Sequence, residues 1–363
     1  MTPLLTGQDH SPRRILAHLA DTGLMPSGVR SAADIVVTKC TSRNSGYLVE
    51  WVGGEAWFLK FPQSLEQAMT ARHEVAVYRA LSATDFHQLA PRLIHYEPSP
   101  MLLVLQGFPH TDPSDPLLIS SRRSLVRAGR LLGRTLALLH DLPHGDDDPP
   151  ALPPPSLRMD LPPLGLRAHL GGAASELIRL VQQDAALTGS LARCRDNWGR
   201  NGWTHGEIKW PHCLLCRAAD EDTVSVVRLV DYEFAGVGDP AWDIGCVFTS
   251  YLGSWLASMP SPTAATAESM VCRSALSTRD VQEAVTALWR VYARQRGLCN
   301  DERWAVLEAA LSYTVAGLLW RVLESCVTQS DLPPRAVLAL QLAHNLAHRP
   351  REGARHLLGL PLT

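Results

Sequence analysis

Two acidic stretches in the second half of the chain constrain its fold most strongly. The first, THGEIKWPHCLL, runs from Thr204 to Leu215, and the second, LVDYEFAGVGDPAWDIG, runs from Leu229 to Gly245. The first is predicted to be a polar loop that ends in an apolar strand, and the second a β-branched strand that ends at Asp231. A loop carboxylate, here Glu207, beside a carboxylate at a strand end is suited to holding a divalent cation and accepting a proton.

The first hundred residues predict a small sheet with a helix inserted into it. After a first helix at Arg13–Leu24, strands are predicted at Asp34–Lys39, Tyr47–Val52, Glu55–Phe61, Arg92–Tyr96 and Met101–Leu105, with a Gly53–Gly54 turn and a helix at Gln63–Leu81. Lys60 lies in an apolar strand and Glu74 in the middle of the helix. A buried lysine needs an anionic partner, so we expect a Lys60–Glu74 pair. The alternative is a surface lysine on an edge strand.

Beyond residue 120 nearly every periodic segment predicts a helix. These segments are Arg122–Leu142, Ala173–Arg193, Ile244–Leu256, Thr278–Gln295, Asp301–Val327 and Pro334–Leu346. Between the first two lies an irregular stretch from Leu142 to Leu164 that is rich in proline and aspartate. We therefore expect an α+β N-terminal lobe (residues 1–108) and a mainly helical C-terminal lobe (residues 109–363), an arrangement that commonly binds ligands in a cleft.

Composition excludes several classes of protein. Hydrophobic residues make up 46% and charged residues 19%, which is typical of a globular chain. A net charge of -2 offers no electrostatic basis for binding nucleic acid or an anionic membrane. The eight cysteines show no paired framework, and the first residues lack a signal peptide, so we expect reduced thiols in the cytoplasm. The apolar run Ala309–Trp320 is too short to span a bilayer and predicts a core helix.

Two further patterns could hold a metal. Cys213 and Cys216 form a CxxC preceded by His212, but no second such motif follows, which disfavours zinc. His344 and His348 are four residues apart on the last predicted helix and could bridge a metal across one turn. Ordinary polar positions on an amphipathic helix explain this histidine pair equally well.

Taken in order, these parts resemble the aminoglycoside phosphotransferase and choline kinase-like family, which has a protein-kinase-like fold. The family writes the two stretches as H-G-D-x-x-x-x-N and I-D-[WFY]-E-x-A-x-x-G-D-P-x-x-D-L, and this chain has HGE-x4-H and DYEFAGVGDPAWDIG. LGRTLALLHDLP, from Leu132 to Pro143, is similar to the family's helix before the catalytic region. The resemblance covers nearly the whole chain.

For the nucleotide, the resemblance implies ATP with Mg²⁺. Lys60 would hold the α- and β-phosphates and pair with Glu74. Hydroxyl and backbone donors would cover the phosphates in place of a glycine-rich loop, from Ser42, Asn44, Ser45 and Gly46. Gln106 and Phe108 would form the hinge that contacts adenine.

For the reaction, the resemblance implies that Asp231 binds magnesium and Glu207 occupies the place of the catalytic aspartate. His212 stands where the family has its metal-binding asparagine, and Lys209 could stabilise charge on the transferring phosphoryl group. Asp239 and Asp243 match structural acids that cap the next helix and brace the loop. For these two, plain capping is also sufficient.

Two of these positions depart from the family pattern. Glu207 adds a methylene, which moves the base by roughly 1 Å, and misplacement of that size can lower a rate on the order of 100-fold. Histidine at 212 is a poor ligand for Mg²⁺, so it would act through a water or favour Mn²⁺. The changes affect turnover more than nucleotide binding. Two hypotheses stay open: an active phosphotransferase, and a nucleotide-binding pseudokinase that scaffolds or activates a partner enzyme.

The acceptor also stays open. The loop sequence H-G-D-[LI]-K-W-D-N is similar to that of phosphotransferase homologues associated with ribosomally made peptide natural products, and this chain has Lys209–Trp210 at the same place. That resemblance implies Ser/Thr of a peptide as acceptor, with a partner lyase that eliminates phosphate. A hydroxyl on a small molecule is the other possibility.

Overall fold

The computed structural model describes residues 11–25, 34–40, 45–51, 56–99, 101–109, 111–112, 114–119, 121–162, 170–217, 224–260 and 267–360. The chain divides into two compact units. The first comprises Met1–Thr111 together with Val230–Glu233, and the second comprises Asp112–Leu229 with Phe234–Thr363. A short segment far along the chain, directly after a strand of the second unit, therefore belongs to the first unit.

The first unit is a five-stranded antiparallel sheet with two helices. Its strands are β1 (Ile35–Cys40), β2 (Ser45–Trp51), β3 (Ala56–Phe61), β4 (Leu93–Pro98) and β5 (Met101–Gln106), in the order β1-β2-β3-β5-β4, and its helices are α1 (Pro12–Asp21) and α2 (Leu65–Ser82). Side chains from α1 and the sheet form one apolar core, including Ile15, Leu19, Leu59 and Val104. The sheet and the second helix confirm the sequence prediction, while the Gly53–Gly54 turn lies outside the described residues.

The strand register places Lys60 in the middle of the sheet. Lys60 pairs with Gly46 of β2 on one side and with Leu103 of β5 on the other. The helix α2 is capped by Ser64, whose side chain accepts a hydrogen bond from the backbone N–H of Gln67. Because β3 is a central strand with a neighbour on each side, a residue on either of its faces can be buried. Lys60 is such a residue, although it is charged.

The second unit is mainly helical, as predicted. Its helices are α3 (Arg122–His140), α4 (Gly172–Gln183), α5 (Ala185–Asp196), α6 (Pro240–Ser258), α7 (Ala267–Cys272), α8 (Thr278–Gln295), α9 (Asn300–Cys326) and α10 (Pro334–His348), followed by a short turn Pro350–Glu352 and a π-helical turn Gly353–Leu357. Two antiparallel ribbons complete it: β6 (Gly202–Thr204) with β9 (Gly236–Gly238), and β7 (Cys213–Arg217) with β8 (Val224–Leu229).

Two glycines let α3 and α8 pack closely. A Cβ at Gly129 would lie 2.6 Å from the carbonyl oxygen of Ala284, and a Cβ at Gly133 would lie 2.4 Å from that of Leu288. Only residues without a side chain allow the two backbones this separation. The glycine in the LGRTLALLH stretch is thus a packing residue.

The prediction of one helix over Ala173–Arg193 is wrong. The structure has two helices, α4 and α5, that break at Asp184, whose backbone is extended. The Asp184 carboxylate accepts hydrogen bonds from the backbone N–H groups of Ala186 and Leu187 and so begins a new helix. The apolar periodicity continues across this break, which is why periodicity alone missed the N-cap.

Among the described residues, α9 is the one helix that is long and apolar enough to cross a membrane by length and composition. However, 61% of its apolar window is buried inside the protein. Leu311, Val315 and Leu318 are among the buried side chains. This burial fits the core helix predicted at Ala309–Trp320.

Candidate active site

A buried ion pair forms the centre of the first unit. The Lys60 Nζ donates to both carboxylate oxygens of Glu74, at 2.8 Å each. The two residues are 5% and 1% exposed, respectively. The structure therefore brings together the pair that the sequence predicted, and the surface-lysine alternative is wrong.

Asp231 is the third member of this cluster. The Lys60 Nζ also donates to Asp231 Oδ1. Asp231 has a φ of 72° and is the only described non-glycine residue in the left-handed region. Such a conformation is sparsely populated, although aspartate tolerates it better than most residues do. The strained backbone after β8 turns the carboxylate towards Lys60.

The charges in this cluster stabilise one another. Burial would lower the pKa of Lys60, but the carboxylates of Glu74 and Asp231 outweigh that effect and raise the pKa above its ordinary value. Burial raises the pKa of Glu74, and the Lys60 cation opposes the rise. Lys60 is thus a fixed positive charge at neutral pH.

A pair of tyrosine rings that the sequence did not predict lies next to this cluster. Tyr78 is one turn beyond Glu74 on α2, and its ring meets that of Tyr232 edge to face at 5.5 Å. Burial raises the pKa of the Tyr78 hydroxyl well above its ordinary value, so it stays neutral. The tyrosine in DYE could have been noted, but its partner on a distant helix had no sequence signal.

Two residues of the predicted phosphate-covering loop lie in a strand. Ser45 and Gly46 belong to strand β2, because Gly46 is paired with both Cys40 and Lys60, whereas Ser42 and Asn44 lie outside the described residues. The expectation that Ser45 and Gly46 lie in a loop is wrong. The backbone ladder across the sheet incorporates them.

The residues of the predicted hinge lie at the end of β5 and directly after it. Gln106 ends β5, and its backbone N–H donates to the carbonyl oxygen of Arg92 at 2.8 Å. The N–H of Gly107 donates to the carbonyl oxygen of Ala56, also at 2.8 Å. Phe108 comes next, outside any strand. A contact of Gln106 and Phe108 with adenine stays a prediction.

In the second unit, one buried carboxylate accepts hydrogen bonds from the backbone of the loop that begins at His205. Asp243 is fully buried, and its two oxygens accept the backbone N–H groups of His205 at 2.7 Å and Gly206 at 3.0 Å. His140 Nε2 lies 3.1 Å from the same carboxylate, and its Nδ1 lies 2.9 Å from the Tyr292 hydroxyl. Asp243 therefore braces the loop, in the role that the resemblance implies.

Gly206 allows the loop to turn. Its φ is 82°, and a Cβ there would lie 2.4 Å from the carbonyl oxygen of Phe234. The indole N–H of Trp242 donates to the Gly206 carbonyl at 2.6 Å. Asp239 caps α6 by accepting from the N–H of Ala241 at 3.0 Å. The first turn of α6 thus positions the loop.

Glu207 presents its carboxylate at the surface of this loop. It is 34% exposed, and Lys209 Nζ donates to its Oε2 at 3.0 Å. His212 is buried, and its Nδ1 lies 2.8 Å from the backbone oxygen of Glu207, to which the ring N–H donates. Within the second unit the structure brings together Glu207, Lys209 and His212, all of which the sequence singled out.

The loop has further supports that the sequence did not indicate. Ser114 Oγ donates to the carbonyl oxygen of Trp210 at 2.5 Å. The Trp210 indole donates to Ser254 Oγ, which donates in turn to Asp115 Oδ1. Only these tertiary contacts reveal the role of Ser114 and Asp115 in supporting the loop.

The family implies a Mg²⁺ ion, and Asp231 and His212 differ in how well they suit it. The carboxylate of Asp231 is a hard oxygen donor and fits Mg²⁺. His212 offers an imidazole whose Nδ1 is engaged with Glu207, and imidazole suits Mn²⁺ or later transition metals better than Mg²⁺. The Asp231 carboxylate thus fits a divalent ion, whereas His212 suits Mg²⁺ poorly.

The sequence of this chain matches a known protein family. Residues 41–273 match the model of the phosphotransferase enzyme family. The chain belongs to this family. No curated protein sequence matches it.

Several solved structures of kinases and phosphotransferases have a fold similar to that of this chain. The choline kinase from Cryptosporidium parvum Iowa II is 13% identical, with a TM-score of 0.57 over 96% of this chain and 99% of that one. The choline kinase LicA from Streptococcus pneumoniae is 11% identical, with a TM-score of 0.51 over 93% and 99%. The ADP-bound aminoglycoside phosphotransferase APH(2'')-Ib is 10% identical, with a TM-score of 0.50 over 92% and 97%. The predicted protein-kinase-like fold of the phosphotransferase family is confirmed.

Proposed function

We propose that this phosphotransferase transfers the γ-phosphoryl group of ATP to a hydroxyl group. The observation that carries the proposal is the Lys60–Glu74–Asp231 cluster of the first unit. A lysine held cationic by two carboxylates is a point charge suited to phosphate oxygens. The presence of bound ADP in the structure of a phosphotransferase of similar fold supports the choice of an adenine nucleotide.

Asp231 would hold a divalent ion, with His212 as a weaker contact that suits Mn²⁺ better than Mg²⁺. Such an ion, when bound, neutralises charge on the phosphates. Lys60 would bind the α- and β-phosphates, and Glu74 would keep its side chain extended towards them. This chain's residues therefore bind and orient the nucleotide.

Glu207 would be the general base. As the acceptor oxygen bonds to the γ-phosphorus, the hydroxyl proton goes to the Glu207 carboxylate. The bond from the γ-phosphorus to the bridging oxygen breaks, and ADP leaves with that electron pair. Lys209, 3.0 Å from the Glu207 Oε2, restrains the longer glutamate side chain and adds positive charge near the transferred group.

For the acceptor, we propose a small hydroxyl compound. The proteins of similar fold are named as choline kinases and aminoglycoside phosphotransferases, whose acceptors are small molecules. The Lys209–Trp210 pair supports a second candidate, Ser/Thr of a peptide with a partner lyase. The two classes are separated by offering both to the same preparation.

Nucleotide binding is tested first by thermal unfolding with Mg-ATP and Mn-ATP. We expect a rise in Tm in the wild type, a larger one with Mn²⁺ if His212 contributes, and none in Asp231→Ala. Asp196→Asn, an exposed aspartate at the end of α5, is the matched control and keeps the shift. No shift with either metal contradicts the proposal.

Transfer is then measured with labelled ATP and three acceptors: choline, an aminoglycoside, and a peptide with serine and threonine. Glu207→Ala is expected to lower transfer on the order of 100-fold or more while the Kd for ATP stays unchanged. Glu308→Ala, an exposed glutamate on α9, should behave as wild type. Equal transfer by Glu207→Ala excludes Glu207 as the base.

A nucleotide-binding protein without turnover is the second candidate function. It is favoured by the histidine at 212, whose Nδ1 is engaged with the backbone oxygen of Glu207 and which suits Mg²⁺ poorly. In that case ATP binds without transfer to any acceptor. The double substitution Glu207→Asp with His212→Asn would then create transfer that the wild type lacks.

A further inference from the structure

Three potential metal ligands meet where one helix begins and another ends. His344 Nδ1 lies 2.5 Å from Asp184 Oδ2, and His348 Nε2 lies 3.2 Å from Asp184 Oδ1. One ligand atom from each of the three side chains lies within 4.8 Å of the other two. The cluster lies wholly within the second unit and shares no residue with the candidate active site.

The local structure explains why these side chains converge. His344 and His348 are four residues apart on the last turns of α10, so they lie on one face, and their ring centroids are 4.2 Å apart. Asp184 is the extended residue between α4 and α5. The helix α10 packs against this junction.

Helix capping accounts for only part of this arrangement. Asp184 Oδ1 accepts the N–H groups of Ala186 at 2.9 Å and Leu187 at 3.1 Å, which is an ordinary N-cap. A cap does not require a ring nitrogen at each carboxylate oxygen, yet both oxygens have one. The second histidine in particular has no role in the cap.

The surroundings leave room for a bound ion and its remaining ligands. The imidazoles of His344 and His348 are 43% and 45% exposed, whereas the Asp184 carboxylate is 16% exposed. A cavity of about 530 Å³ adjoins the three side chains, and its other walls include Leu187, Val337 and Leu340. Water could complete the coordination on this open side.

We propose that Asp184, His344 and His348 bind a divalent transition-metal ion, with Zn²⁺ as the best fit. Two imidazoles and a carboxylate suit Zn²⁺ and disfavour Mg²⁺ and Ca²⁺, which prefer oxygen ligands. Tetrahedral Zn²⁺ places its ligand atoms about 3.3 Å apart, given bonds of about 2.0–2.1 Å. One ligand atom from each residue already lies within 4.8 Å of the other two, so their separations need to change by no more than about 1.5 Å to reach this.

The bound ion has a structural role, because it links two parts of the second unit. It replaces the protons that His344 Nδ1 and His348 Nε2 share with the carboxylate, and it ties α10 to the α4–α5 junction. Because binding favours the folded state, Zn²⁺ raises the Tm of the protein.

The test is a Zn²⁺ titration of the full chain, stripped with EDTA and held in excess Mg²⁺ without nucleotide. Calorimetry gives the stoichiometry, and Co²⁺ absorption in the visible range reports the coordination geometry. We expect His344→Ala and His348→Ala each to bind one Zn²⁺ equivalent fewer than wild type and to lose the Tm rise. Counting by difference makes the result independent of any zinc held at Asp231.

Two controls separate the site from general histidine binding and from misfolding. His144→Ala removes an exposed histidine elsewhere and should keep the full stoichiometry, and Gln341→Ala alters the same helix and cavity without removing a ligand. Asp184→Asn preserves the cap and the fold but loses the metal carboxylate, so it too should lose the equivalent. Unchanged zinc binding in a folded His344→Ala protein, or an equal loss in His144→Ala, overturns the proposal.

Discussion

Lys60 on the central strand β3 and Glu74 on α2 form a two-pronged ion pair, with Nζ 2.8 Å from both carboxylate oxygens, and both side chains are almost fully buried. Asp231 meets the same ammonium group from a segment 171 residues further along the chain. A buried charge is tolerated only when its partners are in place. The pair therefore couples the stability of the first unit to the group that we assign to phosphate binding.

Glu74→Gln is expected to lower the free energy of unfolding by about 3 kcal/mol, because Lys60 keeps only Asp231 as a counter-charge. Guanidinium unfolding gives the value. Glu66→Gln, an exposed glutamate in the first turn of the same helix, should change it by less than about 0.5 kcal/mol.

The double variant Lys60→Met with Glu74→Leu separates stability from function. Replacement of a buried ion pair by apolar residues is often neutral, so we expect unfolding close to wild type but no Tm rise with ATP. A double variant as unstable as Glu74→Gln would contradict the assignment of the instability to an uncompensated charge.

Asp243→Asn is expected to destabilise the loop that carries Glu207. Asp243 accepts two backbone N–H groups and a ring nitrogen of His140, and an amide has a single acceptor oxygen. We expect a loss of about 3 kcal/mol, measured by unfolding, together with reduced phosphate transfer. The exposed Asp196→Asn variant supplies the baseline, and similar values for the two would show that Asp243 does not brace the loop.

Three glycine substitutions distinguish backbone strain from steric clash. Gly206 combines a φ of 82° with a Cβ position 2.4 Å from a carbonyl oxygen, Gly23 has a φ of 69° with open space, and Gly145 has neither constraint. We expect Gly145→Ala to be nearly neutral, Gly23→Ala to cost about 1 kcal/mol, and Gly206→Ala to cost at least about 3 kcal/mol. Chemical denaturation ranks them, and a Gly206→Ala protein as stable as Gly23→Ala would be inconsistent with the clash.

Thiol labelling should distinguish buried from exposed cysteines. Burial raises the pKa of Cys213 and of Cys194 to about 12, so both stay protonated thiols at pH 8. Cys272 and Cys299 are exposed. With a disulfide reagent, we expect the exposed pair to react at least about a thousandfold faster, since the thiolate is the reactive form. Rapid labelling of Cys213 or Cys194 in the Cys272→Ser, Cys299→Ser double variant would contradict their burial.

The elements of the fold were largely predictable because they depend on local patterns. Alternating and β-branched segments specify the strands that flank Lys60, and apolar periodicity specifies the long helices. Prediction was wrong at Asp184, where periodicity ran through a helix break, and at Ser45 and Gly46, where strand pairing extended into an expected loop. At Asp184 the outcome was determined by its carboxylate, which accepts the backbone N–H groups of Ala186 and Leu187, and at Ser45 and Gly46 by pairing with the neighbouring strands.

By itself the sequence determined the order of strands and helices, the membership of Glu207, Lys209 and His212 in one loop, and the pairing of Lys60 with Glu74. Only the tertiary structure decided that Asp231 takes a left-handed backbone, that His140 reaches Asp243 across 103 positions, and that His344 meets Asp184. The periodicity of apolar side chains is a local pattern, so it predicts individual helices and strands. Contacts between distant residues depend on how those elements pack, and packing is a property of the whole unit.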